Sequence, residues 1–322
     1  MTALGIDTSN YTTSAALYDG IRLTQRRKLL PVKRGALGLR QSDALFAHTQ
    51  QLPDLLDDLL TDTQASVGAV AVSDRPRNAP DSYMPCFLAG LSCARGIAAV
   101  LGVPLRRFSH QEGHLAAAMH GAGRDDLFER RCVAFHVSGG TTECLLAEPD
   151  KTGGRAFAVT ILGRTTDLHA GQAVDRVGAM CGLGFPAGPD LDRLALTGDL
   201  SQLPRAPKPV VRDLQCSFSG LENQCRALLN QGAAEAHTAR YCLEWIGAAL
   251  EEMARQALER HPRAPLLFSG GVMGSEVIRR RLEAAFPAAV FAPAAFSGDN
   301  AAGLAALAFR SQAGESDSRG VS

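Results

Sequence analysis

None of the eight cysteines of the chain is spaced as Cys-x-x-Cys from another. This absence argues against a zinc knuckle, and the scatter of the cysteines argues against a dense disulfide framework. A reducing compartment is the simpler interpretation. Net charge is also missing, because 33 Lys and Arg residues balance 33 Asp and Glu residues. A nucleic-acid partner would therefore have to contact a local basic patch, such as Arg26-Arg27-Lys28 or Arg279-Arg280-Arg281, although runs like these are usually solvated.

The chain also has no apolar run near the roughly 18 residues that a membrane-spanning helix needs. Its first residues, Met1–Asp7, carry neither the basic start nor the long apolar core of a signal peptide. We therefore expect a soluble, cytoplasmic protein with no membrane partner. An apolar fraction of 46% over 322 residues is enough for one large globular unit or two lobes of ordinary size.

Two stretches of the chain begin in the same way. Ala3–Asp7 predicts a short strand that enters a turn of small polar residues, and Thr13–Tyr18 predicts the next strand. The same order of strand, small polar turn and strand recurs at Cys132–Val137, Ser138–Thr142 and Cys144–Ala147. This duplicated opening predicts an α/β fold of two similar lobes facing a cleft, as in actin, sugar kinases and heat-shock-chaperone ATPases.

Other parts of the chain show the patterns of helices and buried strands. Helices are predicted over Ala44–Leu60, Cys86–Val100 and Tyr241–Arg260, and strands over Val70–Ser73 and Pro265–Val272. The last of these strands ends in a glycine turn before a basic helix, where backbone amides favour an anion.

Two histidines, His110 and His114, stand four residues apart at the head of an apolar run. Side chains at this spacing lie on one face of a helix, so two neutral imidazoles can bind one metal ion. Asp299, near the other end of the chain, can complete such a site. Taken alone, the spacing also fits two ordinary helix histidines, one exposed and one hydrogen-bonded in the core.

Four segments resemble, in their order and spacing, the tRNA N6-adenosine threonylcarbamoyltransferases, a family formerly classed as glycoproteases. These segments are His110–His114, Val137–Thr142, Cys216–Leu221, and Ser269–Val272 together with Asp299–Ala301. The stretches Leu162–Asp175 and Gly184–Pro189 follow the middle region of the same family. The resemblance covers nearly the whole chain and indicates a divergent paralogue.

The resemblance implies that His110, His114 and Asp299 hold one divalent metal ion, iron or zinc. Two imidazoles and a carboxylate leave coordination positions open, so the ion can polarise a carbonyl or hold a phosphate. Glu112 lies between the histidines but points away from the ligand face of the helix, which favours a solvated or capping role over that of a general base. No catalytic side chain is assigned.

The resemblance also implies that the adenylate part of an activated substrate, made from an ATP-type nucleotide, contacts a glycine turn. Glycines there let backbone amides approach a ligand closely. The residues that the resemblance assigns to substrate or nucleotide binding are His136, Val137, Ser138, Gly139, Gly140, Asp175, Gly188, Asp192 and Ser275. Asp192 also fits a capping or solvent-facing role, and His136 fits either an extra metal ligand or an ordinary strand histidine.

The chain departs from the family pattern in several places. Asn10-Tyr11-Thr12-Thr13 replaces an acidic pair beside a cysteine, which removes two carboxylates from the first turn. Thr141, Gln172 and Ser275 replace residues of the family near the nucleotide. Asp74–Pro80 replaces a short Gly-Pro-Gly connection and adds two guanidinium groups that could contact phosphate or carboxylate.

The activity implied is transfer of a threonylcarbamoyl or carbamoyl group from an adenylate to N6 of adenosine 37 in tRNA, with partner proteins of a tRNA-modification complex. The alternatives are a nucleotide-binding regulatory paralogue without turnover and a carbamoyltransferase with a different acceptor. A metalloprotease is disfavoured because His-Glu-x-x-His is absent, and phosphoryl transfer would need carboxylates for magnesium, of which Asp7 is the only candidate in the first turn. The expected N-terminal lobe is 1–115 completed by 298–312, the C-terminal lobe 116–297, and 313–322 a disordered tail.

Overall fold

The computed structural model describes residues 1–9, 11–31, 39–63, 66–152 and 155–319, with side chains up to residue 312. The chain forms two compact units. The first consists of Met1–Phe128, Asp150–Phe157 and the chain from Ala295 onward, and the second consists of Glu129–Pro149 and Ala158–Ala294. Within the described ranges, no helix is long and apolar enough to cross a membrane.

The first unit is built on a five-stranded sheet with the order β3-β2-β1-β4-β5. Its strands are β1 (Thr2–Asp7), β2 (Thr12–Tyr18), β3 (Leu23–Leu29), β4 (Val67–Arg75) and β5 (Leu105–Ser109), and its first helices are α1 (Gln41–Thr63), α2 (Phe87–Leu101) and α3 (His110–Gly121). β2 pairs antiparallel with both β1 and β3. β4 pairs parallel with β1, and β5 pairs parallel with β4.

The second unit is built on a six-stranded sheet with the order β11-β10-β6-β7-β8-β9. Its strands are β6 (Cys132–Val137), β7 (Thr142–Pro149), β8 (Phe157–Thr165), β9 (Gln215–Cys216), β10 (Leu266–Ser269) and β11 (Val290–Phe291). Its helices are α4 (Ala170–Met180), α5 (Gly188–Leu196), α6 (Ser219–Asn230), α7 (Glu235–Arg260) and α8 (Glu276–Ala285). Short 3₁₀ helices cover Asp125–Glu129 in the first unit, and Leu200–Gln202 and Gly271–Gly274 in the second.

Two further helices follow. α9 (Ala294–Ser297) is a single turn, and α10 (Ala302–Arg319) packs on α3 and on the first sheet. The backbone of α10 is helical through Arg319, while residues 320–322 lie outside the described residues. Disorder of the tail 313–322 stays a prediction. The expected lobe boundary after residue 115 falls inside α3, and the structure places 116–128 and 150–157 in the first unit.

The two sheets share a strand order, which confirms the predicted α/β fold with duplicated lobes. In the first unit, two successive strands continue from β1 on one side and two parallel strands lie on the other. In the second unit, β7 and β8 continue from β6, and β10 and β11 lie on its other side in parallel register. The small β9 extends this second sheet beyond β8.

Alternation along β1 and β2 gives the first sheet two different faces. Leu4, Ile6 and Ala15 pack in one core cluster with apolar residues of α1 and α2. Gly5, on the opposite face, lies so close to α10 that a Cβ there would be 2.5 Å from the backbone oxygen of Ala301. Successive strand residues point to opposite faces, so the side chain of the next odd-numbered residue, Asp7, lies on the α10 face.

Candidate metal centre and nucleotide-binding elements

The start of α3 fixes the two histidines of the predicted metal site. Ser109 is the N-cap residue, and its hydroxyl accepts a hydrogen bond from the backbone N–H of Glu112. In return, Glu112 Oε2 accepts hydrogen bonds from the backbone N–H and the hydroxyl of Ser109, each at 2.7 Å. This capping box starts the helix at His110, so His110 and His114 stand one turn apart on the same face, with their ring centroids 4.2 Å apart.

Asp299 lies next to both histidines. Its Oδ1 lies 3.4 Å from Nε2 of His110 and 3.3 Å from Nε2 of His114. Ligands held at about 2.1 Å in tetrahedral directions around a zinc ion would be roughly 3.4 Å apart, so these spacings fit one ion. Among the described residues, these three side chains form the group whose donor atoms converge in this way, all within 4.8 Å of one another. The residues present therefore fit a divalent metal ion.

A buried carboxylate supports His110 from the other side. Asp7, 1% exposed at the end of β1, has Oδ2 3.4 Å from Nδ1 of His110. The same carboxylate accepts hydrogen bonds from the hydroxyls of Ser9, at 2.7 Å, and of Ser73. A metal-binding histidine usually donates its second ring N–H to a carboxylate, which fixes the ring and its tautomer. Asp7 occupies this position, a role that the sequence did not predict.

The electrostatics of the group favour a cation. Burial of the ring opposes protonation of His110, but the carboxylates of Asp7 and Asp299 outweigh it and raise the pKa of His110 to about 10. Burial raises the pKa of Asp299, yet the hydrogen bonds and charges of His110 and His114 outweigh it and hold that pKa below its usual range. The pKa of Asp7 is lowered in the same way, chiefly by His110 against the effect of burial. A divalent ion would replace the proton that His110 otherwise holds.

Glu112 was expected to be either solvated or a capping residue, and the structure shows the capping role. Its side chain is buried, and its second oxygen, Oε1, accepts a hydrogen bond from the backbone N–H of Ala156 at 2.7 Å. The carboxylate thus joins the start of α3 to the segment Asp150–Phe157. Because both oxygens already accept hydrogen bonds within the fold, Glu112 does not serve as a base at the metal face.

Two glycines, Gly171 and Gly270, allow close packing around the predicted adenylate turn in the second unit. The hydroxyl of Ser138 accepts hydrogen bonds from the N–H groups of Gly140 and Thr141, which closes the turn between β6 and β7. A Cβ on Gly171, at the start of α4, would lie 2.6 Å from the backbone N of Gly139. Gly270, with a φ of +100°, would place a Cβ 2.2 Å from the backbone oxygen of Val137. By contrast, Gly139 and Gly140 are exposed, and a Cβ on either would meet nothing within 4 Å.

The remaining predicted substrate residues lie in two pairs. Asp175 on α4 accepts a hydrogen bond from the backbone N–H of Ala187 at 2.9 Å, directly before Gly188 at the start of α5. Asp192 accepts hydrogen bonds from the hydroxyl of Ser275 and from the backbone N–H of Glu276 at 3.0 Å. Asp192 thus caps α8, which was one of the roles expected for it. Nucleotide contact by either pair stays a prediction.

His136 lies on β6 between two neighbouring strands, opposite Glu143 of β7 and Ser269 of β10. Its ring is partly buried. Whether it contacts a nucleotide or a metal ion stays a prediction.

The altered first turn is partly described. Asn10 lies outside the described residues. Thr13 is buried, and its hydroxyl lies 2.8 Å from Nδ1 of His48 and donates to Oε1 of Gln51 at 2.8 Å. The hydroxyl of Thr13 is therefore directed into the fold.

One of the two guanidinium groups expected from the connection Asp74–Pro80, that of Arg75, has its partners within the fold. Arg75 donates hydrogen bonds to Asn78 and pairs with Asp74, which also pairs with Arg107.

In the second unit, Asp167 joins the segments Leu162–Asp175 and Cys216–Leu221. It accepts hydrogen bonds from the backbone N–H groups of Phe218, at 2.8 Å, and Ser219, at 3.1 Å. Burial raises the pKa of Asp167, but the hydrogen bonds from Ser217 and Ser219 outweigh it and lower that pKa.

The duplicated sheets define an α/β protein of the actin, sugar kinase and chaperone ATPase class, and solved structures show the same fold. The activator of the 2-hydroxyisocaproyl-CoA dehydratase from Clostridium difficile, with bound ADPNP, matches with a TM-score of 0.53 at 14% identity, over 99% of this chain and 98% of that one. The ROK hexokinase from Thermus thermophilus matches with a TM-score of 0.50 at 15% identity, over 97% and 99%.

Within that class, the chain belongs to the tRNA N6-adenosine threonylcarbamoyltransferase family, whose model matches residues 38–306. The tRNA N6-adenosine threonylcarbamoyltransferase of Chlorobium luteolum is 30% identical over 336 aligned positions, which cover 96% of this chain and 92% of that protein. The family resemblance read from the sequence is therefore confirmed, and the family is one of transferases.

Proposed function

We propose that the protein transfers a threonylcarbamoyl group from an adenylate to N6 of an adenosine in tRNA, in a reaction that depends on a divalent metal ion, iron or zinc. The observation that carries this proposal is the convergence of His110, His114 and Asp299 at metal-ligand spacing in a chain of this family. The reaction takes place in the cytoplasm together with protein partners, which would supply tRNA contacts that a chain of zero net charge lacks.

In the proposed reaction, the amine nitrogen of the acceptor forms a bond to the carbonyl carbon of the adenylate. The bond from that carbon to the phosphate oxygen breaks, AMP leaves, and the amine loses a proton. A divalent ion in the group would supply Lewis-acid polarisation of the substrate's carbonyl or phosphate. Asp7 holds the ring of His110 through Nδ1, which keeps Nε2 directed at the ligand position beside Asp299.

The adenylate would lie against the turn of Ser138, Gly139 and Gly140. The hydrogen bonds to the Ser138 hydroxyl fix the backbone of the turn, so little ordering is needed when a ligand binds. The two glycines are exposed and uncrowded, which leaves space for a phosphate or ribose to approach the backbone. Asp175, which is partly exposed, has a second oxygen for ribose hydroxyls.

The first prediction concerns the three proposed metal ligands. His110→Ala and Asp299→Ala should each lose bound metal and reduce formation of the modified nucleoside by at least about 100-fold, because a two-ligand site holds the ion weakly. His120→Gln is the matched control, since His120 lies on the same helix but contacts Tyr18 and Asp125 instead of Asp299. The measurements are metal content by mass spectrometry, and AMP and modified nucleoside after incubation with threonylcarbamoyl-adenylate, unmodified tRNA and candidate partners.

The same experiment distinguishes the second candidate, a regulatory paralogue that binds nucleotide without turnover. The sequence Asn10-Tyr11-Thr12-Thr13, at the position where the family resemblance leads us to expect an acidic pair, favours this candidate. Adenylate binding without AMP release, with every partner present, would support it. Release of AMP with a modified product other than tRNA adenosine would indicate a different acceptor. Full activity in His110→Ala with no bound metal would contradict the proposed metal dependence.

A further inference from the structure

Arg27 on the edge strand β3 lies on the same face of the first sheet as the candidate metal centre. The register places Asp7 of β1 opposite Ser14 of β2, and Ser14 opposite Arg27 of β3. Residues directly opposite each other in antiparallel strands point to the same face. The side chains of Asp7, Ser14 and Arg27 therefore form one row across the sheet, and this row begins at the carboxylate that contacts His110.

The guanidinium group of Arg27 reaches the loop that carries Asp299. Its Nη1 lies 4.0 Å from the position that a Cβ on Gly298 would occupy. Gly298 directly precedes the metal ligand Asp299 in the sequence. The side chain thus ends close to the loop residue that directly precedes Asp299.

The neighbouring basic residue behaves differently, and this difference singles out Arg27. Arg26 is opposite Ala15 and points to the other face of the sheet, where it forms an ion pair with Asp62 of α1. Arg27 is exposed, and within the described ranges no carboxylate lies within ion-pair distance of it. Arg26 therefore has a structural role, whereas the positive charge of Arg27 is not balanced within the described structure.

The charges around the centre favour an anionic ligand. The carboxylates of Asp7 and Asp299 together balance one divalent ion, so the charge of Arg27 gives the centre an excess of one positive charge. A guanidinium group offers two parallel N–H donors to a carboxylate or phosphate. The described residues that follow Asp7 in the chain, up to Ser14, carry no acidic side chain that would repel such an anion.

We propose that Arg27 is an anion-binding residue that, beside the metal centre, holds an oxyanion of the substrate. The inference rests on the proposed function for the identity of that substrate. The oxyanion is either the carboxylate of the threonyl part or the phosphate of the adenylate. If Arg27 binds the threonyl carboxylate, it also determines specificity. A carbamoyl group that lacks this carboxylate would then leave the charge of Arg27 without a partner.

The first arm of the test uses inorganic phosphate and does not depend on the proposed function. Binding of phosphate to the full-length protein is followed by broadening of its ³¹P NMR line, with and without Zn²⁺. The wild-type protein and Arg26→Gln should broaden the line, and Arg27→Gln should not. Equal broadening by the wild-type protein and Arg27→Gln, or no broadening by the wild-type protein, would overturn the inference.

The second arm distinguishes the two oxyanions by calorimetric titration of Zn²⁺-loaded protein with threonylcarbamoyl-adenylate and with the analogue whose carboxylate is a carboxamide. If Arg27 holds the carboxylate, Arg27→Gln weakens binding of the acid roughly 10- to 100-fold and leaves the carboxamide unchanged. If Arg27 holds the phosphate, Arg27→Gln weakens the binding of both ligands equally. Arg27→Lys should restore part of the affinity, since it restores charge without the planar fork.

The two arms keep the two proposals separate. Failure of the wild-type protein to bind either adenylate would contradict the proposed function, while the phosphate arm would still decide the inference about Arg27. Unchanged binding of both adenylates in Arg27→Gln would overturn the inference and leave the proposed function standing. Metal content is measured in every variant, because Arg27 is not a ligand and its replacement should not change it.

Discussion

Asp7 is not one of the three proposed metal ligands, yet three groups converge on its carboxylate. The hydroxyls of Ser9 and Ser73 donate to it, and Nδ1 of His110 lies 3.4 Å away. With its carboxylate fixed by the two hydroxyls, Asp7 holds the ring of His110 in the orientation that a metal ion needs. At the scale of the single residue, the geometry of the centre therefore depends on a side chain from the first strand.

Asp7→Asn should weaken metal binding roughly 10- to 100-fold, because an amide holds the second nitrogen of His110 less strongly than a carboxylate does. The size of the side chain is kept, so the fold should remain intact. Competition titration of Zn²⁺ against a chromogenic chelator measures the change, with circular dichroism as a check on folding. Asp57→Asn, an exposed change on α1, is the matched control. Equal Zn²⁺ affinity in Asp7→Asn and the wild type would show that the contact does not support the metal.

The sequence predicted the group of His110, His114 and Asp299 but not this supporting residue. His110 and His114 are read from one helical turn, and Asp299 from a motif of the family. Contacts between residues far apart in sequence, such as those of Asp7 with Ser73 and His110, come from the pairing of β1 with β4 and the position of α3. No local spacing encodes them. The position of Asp7 at the end of a predicted strand was the only signal.

At the scale of elements, α3 depends on Glu112 for its first turn and for its link to Asp150–Phe157. Glu112→Ala would leave the backbone N–H groups of Ser109 and Ala156 without their buried acceptor. Loss of a cap and of a buried acceptor together should cost about 2 to 4 kcal/mol in local stability.

Hydrogen exchange of α3 and of residues 155–157 in native conditions measures this cost, and it reports the first unit separately from the second. Gln111→Ala, on the same turn, should change exchange little. Exchange in Glu112→Ala that matches the wild type in both segments would rule out the linking role.

Elements with a strong apolar pattern were predicted close to their observed bounds, and polar ones were missed. The predicted strand Cys132–Val137 coincides with β6, and the predicted helices Ala44–Leu60, Cys86–Val100 and Tyr241–Arg260 lie mainly within α1, α2 and α7. β3 was not predicted because Arg26-Arg27-Lys28 indicates a solvated patch. An edge strand has one partner only and tolerates charged side chains, so its polar sequence does not reveal it.

At the scale of the whole molecule, the two sheets repeat one strand order. The turn after β1 and the turn after β6 therefore occupy equivalent positions, but their residues differ. β1 ends at Asp7 and is followed by Ser9, beside the candidate metal group, whereas β6 ends at Val137 and is followed by Ser138, Gly139 and Gly140. The first turn has buried hydroxyls around a carboxylate, which suits a cation. The second has exposed glycines, which suits a phosphate or ribose. Under the proposed function, the two units would therefore bind different parts of the ligand set, the metal ion in the first and the nucleotide in the second.

This division predicts that each ligand protects its own unit. Since a ligand that binds only the folded state slows local opening, Zn²⁺ alone should slow hydrogen exchange in α3 and at the start of α10. AMP without metal should slow exchange in the turn 137–142 and at the start of α4. In His110→Ala the effect of Zn²⁺ should vanish while that of AMP remains. Protection of 137–142 by Zn²⁺ alone, or of α3 by AMP alone, would show that the two chemistries are not divided between the units in this way.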